Sequence, residues 1–488
     1  MSLTNKAVSG VLWTSSHQVG QIILQFVVGI VLARLLDPAD YGLFALVGVF
    51  LVFFNIPVEG GLALAVVQRK DLSDEDVSTV FWFNLGASLT AYAAVWFGAP
   101  LLAAFYSEPE LVSMTRVVGA TVIIGALAIC QKARLERKME FRKLALVQLP
   151  AFAVSAAVAI WMAHSGFGAW SLVGMALTST GLTCLTIWGV SSWRPGLCFS
   201  TRSFRALFGF GVNTALESLS NAVFQNLLTL VIGRIYSPIE VGFYNRARHY
   251  QQLPAGSIYS VLAKVMLPLL SSVQDQPHRL RRAFSQALRL STILSFPALL
   301  GLAALAEPLV WLMIGEKWLP CVPYLQILCL SATILPVQAI NVNAILSQGR
   351  SDISLKINLI KKLNLAIVIA LTYPYGIEAM LWGQVATSIL AFFINAWPNR
   401  KLMHFGIRKQ LQIMAPYAII SLIMAVAVMV VVYGLKASPW VEVLVGVLLG
   451  VLIYLIGIRI VRVPEHRELA SLAARLPVAG RVLQFVLT

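Results

Sequence analysis

Acidic residues are scarce in this chain, and cysteines scarcer still. Its 488 residues hold 21 Asp and Glu, and charged side chains of both signs make up only 12% of the whole. The five cysteines, Cys130, Cys184, Cys198, Cys321 and Cys329, show neither the close spacing of a metal site nor the pairing of an extracellular framework. There is no GxxxxGK(S/T) loop to cradle a nucleotide, and no compact group of residues marks a metal or catalytic centre. Alternating ten-residue strands, which a membrane β-barrel needs, are missing as well. So is any long loop between apolar segments that could house an active site. A closed barrel and an enzyme therefore drop out, and no catalytic residue, metal or cofactor is expected.

What the chain has in abundance is apolar sequence, at 58% hydrophobic residues. Runs of about 20 apolar residues recur along its length, each enough to cross a hydrocarbon core of about 30 Å as a helix. The expected fold is an all-α polytopic membrane protein with fourteen transmembrane helices. They are predicted near 10–33, 41–67, 78–103, 111–131, 144–163, 167–190, 207–233, 240–270, 288–314, 320–347, 357–373, 376–397, 411–433 and 440–461. The first is too long for a signal-peptide core and lacks a small-residue cleavage site after it, so it reads as a retained helix. An N-terminus in the cytoplasm puts most of the 37 Lys and Arg into cytoplasmic loops and tails, as the positive-inside rule requires. Both termini are then cytoplasmic. The net charge of +16 reports this orientation beside an anionic leaflet, is densest in KARLERKMEFRK (132–143), and calls for no nucleic acid.

The chain carries its own plan twice. ARLLDPADYGLF and GRIYSPIEVGFY align at an offset of 200 residues, matching Arg34, Pro38, Asp40 and Gly42 to Arg234, Pro238, Glu240 and Gly242, and a proline inside the following helix comes after each, Pro57 and Pro254. The preceding helices agree. The first bears His17, Gln21 and Gln25 every four residues, and the seventh bears Asn213, Glu217, Asn221 and Gln225; residues four apart share a helix face. Duplicated halves with interrupted helices belong to secondary transporters, whose sites lie between the repeats. The expected organisation is an N-terminal six-helix bundle (1–195) and a C-terminal six-helix bundle (196–405) around a central cavity, two added helices (406–463) and a cytoplasmic tail (464–488).

Charges inside such helices are expensive and face a partner or a watery cavity. Along the eighth helix Arg246 and Lys264 stand eighteen residues, or five turns, apart, with His249, Tyr250, Ser257 and Ser260 near the same face and Arg248 roughly opposite Arg246. A face rich in cations and hydroxyls suits an anionic cargo, and the forked guanidinium suits phosphate. Arg246, Arg248, His249 and Lys264 are therefore candidate diphosphate ligands. Snorkelling to the interface is the competing account of Arg246, and is the preferred one for Arg116 and for Lys361 and Lys362, which are placed near the start of the eleventh helix. Glu59 and Glu217, at similar depths, are candidates for ion coupling or for pairing with the helix 8 cations. The Asn and Gln stripes read either as cavity lining or as ordinary interhelical hydrogen bonding.

The segments LARLLDPADYGLFALV, VGFYNRARHYQQLPAGSIYSVLAKVMLPLLS, GEKWLPCVPYLQILCL and NAILSQGRSDISLKI resemble the polysaccharide-exporter branch of the multidrug/oligosaccharidyl-lipid/polysaccharide superfamily, the Wzx-type flippases. The resemblance implies a multi-pass protein of the bacterial cytoplasmic (inner) membrane. It implies transport of undecaprenyl-diphosphate-linked oligosaccharide to the outer leaflet by alternating access, for exopolysaccharide or lipopolysaccharide assembly, with helices 1, 2, 7 and 8 lining the cavity. Membrane lipids, and possible association with polysaccharide polymerase and export machinery, complete the implied partners. A peptidoglycan lipid-precursor flippase and, further off, a cation-coupled drug antiporter are the alternatives; drug-extruding relatives commonly carry an acid in helix 1, and residues 10–33 contain none.

Overall fold

A computed structural model of the chain describes residues 20–59, 66, 73–435 and 437–461. His17, the loop residue Lys436 and the predicted tail 464–488 lie outside them, as do the side chains of Glu59, Asn213 and Lys264. The described residues contain no strand. Their helices are α1 (Gly20–Leu35), α2 (Pro38–Glu59), α3 (Asp74–Tyr106), α4 (Glu110–Arg137), α5 (Phe141–His164), α6 (Trp170–Val190), α7 (Thr201–Ile235) and α8 (Pro238–Ser272). There follow α9 (Pro277–Ala304), α10 (Ala306–Ile314), a 3-10 turn (Glu316–Cys321), α11 (Val322–Ala332), α12 (Leu335–Ser347), α13 (Ser351–Thr372), α14 (Ile377–Met403), α15 (Ile407–Leu435) and α16 (Pro439–Val461). Twelve segments among the described residues are long and apolar enough to cross a membrane. The chain is a multi-pass membrane protein. A count of fourteen further requires the shorter α1 and the lysine-bearing α13 to span, and stands as a proposal.

Two of the sequence motifs are helix starts. Asp37 precedes Pro38, whose fixed φ suits the first helical position, and the Asp40 carboxylate three residues on accepts from the Asp37 amide at 2.9 Å. In the second copy the Ser237 hydroxyl accepts from the Glu240 amide at 3.3 Å, again around a first-turn proline. The glycines that follow have a packing reason. A Cβ on Gly42 would stand 1.7 Å from the Pro238 carbonyl oxygen, and one on Gly242 would stand 2.0 Å from that of Pro38. The first turns of α2 and α8 therefore cross reciprocally, each glycine seated on the other helix's proline, and no side chain fits at either place.

The chain divides into two compact units, Met1–Asn245 and Arg246–Thr488. The boundary between six-helix bundles drawn from the sequence, at 195/196, stands as a separate proposal. In the first unit Val28 and Leu32 of α1, with Leu36 just beyond it, pack with Ala156, Ala159 and Ala163 of α5 and Leu172 of α6, where the small residues let the backbones approach. The segment after α6 is tied to the start of α3: the Trp82 indole donates to the Gly196 carbonyl at 2.8 Å, and Ser78 and Thr79 hydroxyls accept from the Gly196 and Ser200 amides at 3.0 Å each. A capping box of Ser73 and Asp76 fixes that end of α3.

The second unit has an apolar core that includes Leu270, Phe284, Leu288, Ile340 and Tyr417. A polar seam runs beside it. Asn341 of α12 donates to Gln410 of α15 at 2.9 Å and accepts from it at 3.0 Å and from Asn399 of α14 at 2.8 Å, all three side chains being fully buried. Ahead of α13, Arg350 forks onto Asp352 with two 2.9 Å hydrogen bonds. The carboxylate holds the Arg350 guanidinium above its ordinary range.

Candidate functional site

The face of α8 predicted to grip an anion is split by packing. Arg246, only 6% exposed, has its guanidinium 5.5 Å from the ring centre of Trp318 and 5.8 Å from that of Tyr250. Trp318, in the 3-10 turn after α10, is fully buried. An arginine desolvated against two aromatic faces is held by cation–π attraction as well as by packing. Arg246 therefore does not snorkel freely. Farther along, His249, Ser257 and Ser260 are exposed on the same side of the helix, and Arg248 is half-buried. The Ser257 hydroxyl donates to the Leu253 carbonyl at 2.7 Å and that of Ser260 to Ser257 at 3.0 Å, which leaves both oxygens able to accept. The predicted ladder thus has one covered rung and several open ones.

The polar stripes lie off the packed faces. On α1 the packed side is Val28 and Leu32, while Gln21 is half-buried and Gln25 exposed. On α7 Glu217 and Gln225 are exposed and Asn221 is half-buried. Neighbouring Asn226 donates back to the Ala222 carbonyl at 2.9 Å. These stripes present amide and carboxylate groups outside the core of the first unit. The described part of Arg116's environment is specific: its Nε donates to the Trp96 carbonyl at 3.2 Å and its guanidinium lies 4.6 Å from the Trp96 ring centre.

Two features escaped sequence reasoning. The Trp318 cover on Arg246 joins positions seventy-two residues apart, a partnership that no local sequence pattern records. The second is a matter of depth. α13 begins at Ser351 and not near 357, so Lys361 and Lys362 stand ten and eleven residues into a 22-residue helix. The missed start is polar, with Arg350 and Asp352 forming the fork described above, and an apolar-window reading passes over such a turn.

Comparison with known proteins gives this arrangement a context. The sequence pattern of the family described as polysaccharide biosynthesis protein matches residues 31–323, which include both proline–glycine turns, the cations of α8 and Trp318. The chain belongs to the polysaccharide biosynthesis protein family. It is 28% identical over 405 residues to the lipopolysaccharide biosynthesis protein WzxC of Escherichia coli K12, covering 82% of each chain. It is 25% identical over 478 residues to the succinoglycan biosynthesis transport protein ExoT of Rhizobium meliloti, covering 96% of each. Its fold is that of a solved structure of the lipid II flippase MurJ in an inward closed conformation, at a TM-score of 0.75 and 14% identity, over 92% of this chain and 98% of that one. Membership in this family agrees with the Wzx-type resemblance of the four sequence segments.

Proposed function

We propose that this member of the family is a flippase that moves an undecaprenyl-diphosphate-linked oligosaccharide from the inner to the outer leaflet of the bacterial cytoplasmic membrane, by alternating access. The observation that carries the reading is the family match over 31–323, because the matched stretch holds both proline–glycine turns of the repeat and the cationic helix that the second turn opens. In this reading α8 supplies the positive field for the diphosphate. His249, Arg248 and Lys264 contact it, and Arg246, fixed between Trp318 and Tyr250, adds charge from a set position. The glutamines and asparagines of α1 and α7 face the sugar, and the prenyl tail stays in lipid. Glu59 and Glu217 pair with cations as access changes. The protein performs no covalent chemistry, both termini are cytoplasmic, and the flipped product passes to a polymerase.

Depletion of the protein tests the cargo. A lipid-linked oligosaccharide of the polysaccharide pathway should accumulate as surface polysaccharide falls. Accumulation of a peptidoglycan lipid precursor instead would favour the reading drawn from the fold's likeness to MurJ, and accumulation of neither would reject both.

A further inference from the structure

The lysine in the middle of α13 is in an unusual place for a charge. Lys361 stands about 15 Å of helix rise from Ser351 and about 16 Å from Thr372, close to the middle of a bilayer-length helix. A lysine stem reaches roughly 6 Å, too short to carry its ammonium to either interface. Nor does the helix turn the residue outward. At about 100° per residue, Ser354, Ile357, Lys361, Val368 and Thr372 share an arc of about 60°. Ser354 and Ile357 are buried. Val368 and Thr372 abut Gly383 of α14, where a Cβ would come within 2.6 Å and 3.4 Å of them. The opposite side carries Leu355, Leu359 and Leu363, each more than half exposed. Lys361, half-buried, thus belongs to the packed stripe and not to the outer one.

The helices packed against that stripe offer no counter-charge at its level. α12 has no charged residue, and the charges of α14 are confined to its ends, Glu378 in the first turn and Arg400 and Lys401 in the last. The short turn Tyr373–Tyr375 adds two tyrosines at the far end, and α13 itself adds Asp352, Lys356 and Lys362. Seven residues before Val368 corresponds, in the antiparallel register set by Gly383, to the level of Leu390, which Thr387 and Ala391 flank. Between that level and Gly383, the buried Gln384 Oε1 has no hydrogen-bond partner among the described residues. On α14 this stretch carries hydroxyl, amide and aliphatic side chains and no charge. Such groups can hydrogen-bond an amine in either protonation state without cancelling its charge, and an intramembrane ionisable group is by default read as functional.

We propose that Lys361 is the proton-carrying group of the transport cycle, binding a proton when its stripe is open to water and giving it up to the departing water as the helices close over it. The step is an exchange of –NH3+ for –NH2 plus a proton, with no other bond made or broken. This rests on the flippase reading for its role in export, but not for proton binding itself. Three full-length variants at matched membrane levels test it: Lys361→Met, which holds no proton, Lys361→Arg, which does not release one, and Lys356→Ala in the exposed first turns as a control. Surface polysaccharide should fall about tenfold or more for both Lys361 variants and stay unchanged for the control. Full export by Lys361→Arg would show that a fixed charge suffices and overturn the proposal; full export by Lys361→Met would overturn it too. In purified protein, without cargo, the difference in melting temperature between wild type and Lys361→Met should vary with pH. Parallel curves would overturn proton binding while leaving the flippase reading untouched.

Discussion

Arg246 shows how a side chain chosen for its charge can be fixed by its neighbours. Its guanidinium has two aromatic faces near it, and the larger, Trp318, is fully buried. Trp318→Leu removes the better of these faces along with an indole's volume, and should destabilise the protein by about 2 to 4 kcal/mol, read as a lower melting temperature in detergent. Arg246→Lys keeps the charge but loses the flat stacking surface. It should retain membrane level and part of the export, whereas Arg246→Ala should lose most export. Equal, undiminished surface polysaccharide in both variants would remove Arg246 from the transport mechanism. His249, by contrast, is exposed, and His249→Ala should leave thermal stability unchanged while lowering export. A stability loss without an export loss would make it a packing residue.

At the scale of elements, the most constrained feature is the reciprocal crossing of α2 and α8. Alanine at Gly42 or Gly242 would drive a methyl group into a proline carbonyl, and backbone cannot swing aside as a side chain does. Either substitution should cost about 1 to 3 kcal/mol of stability and reduce export, and Gly42→Ala combined with Gly242→Ala should cost less than the sum, because one displacement relieves both clashes. Neutral alanine variants would contradict the crossing. The seam of Asn341, Asn399 and Gln410 makes a second demand. Asn341→Leu strands two buried amides and should cost about 1 to 3 kcal/mol, while replacing all three by Leu should cost less than the three single changes together. Sequence made the residues of the first feature legible as a repeat, though not their crossing, and hid the second. The proline and acid recur at a fixed offset because capping is a local demand on particular residue types, and the glycine recurs with them because each copy meets the other's proline. The seam joins residues up to sixty-nine apart whose partnership no local pattern records. For the same reason the repeat revealed where α8 begins, but not that Trp318 would cover its first arginine.

On the scale of the whole molecule, the sequence's long apolar runs sufficed for a helical membrane protein, because crossing a bilayer constrains length and polarity so tightly. They did not locate the start of α13, where polar residues open the helix and place Lys361 near its middle. Orientation is testable through the loops. Reporter fusions near Glu108 and Lys317 should report the exterior, and those near Arg137, Arg281 and Arg400 the cytoplasm; reversal at several sites would reject the topology and with it the direction of transport. The central claim is that the protein moves its cargo between leaflets. The most direct measurement is the fraction of lipid-linked oligosaccharide open to a membrane-impermeant sugar-modifying reagent in intact spheroplasts, with and without the protein. The account predicts that depletion raises the total amount of this lipid and lowers the accessible fraction several-fold. An accumulated lipid that remains fully accessible from outside would contradict it, because the blocked step would then lie after flipping.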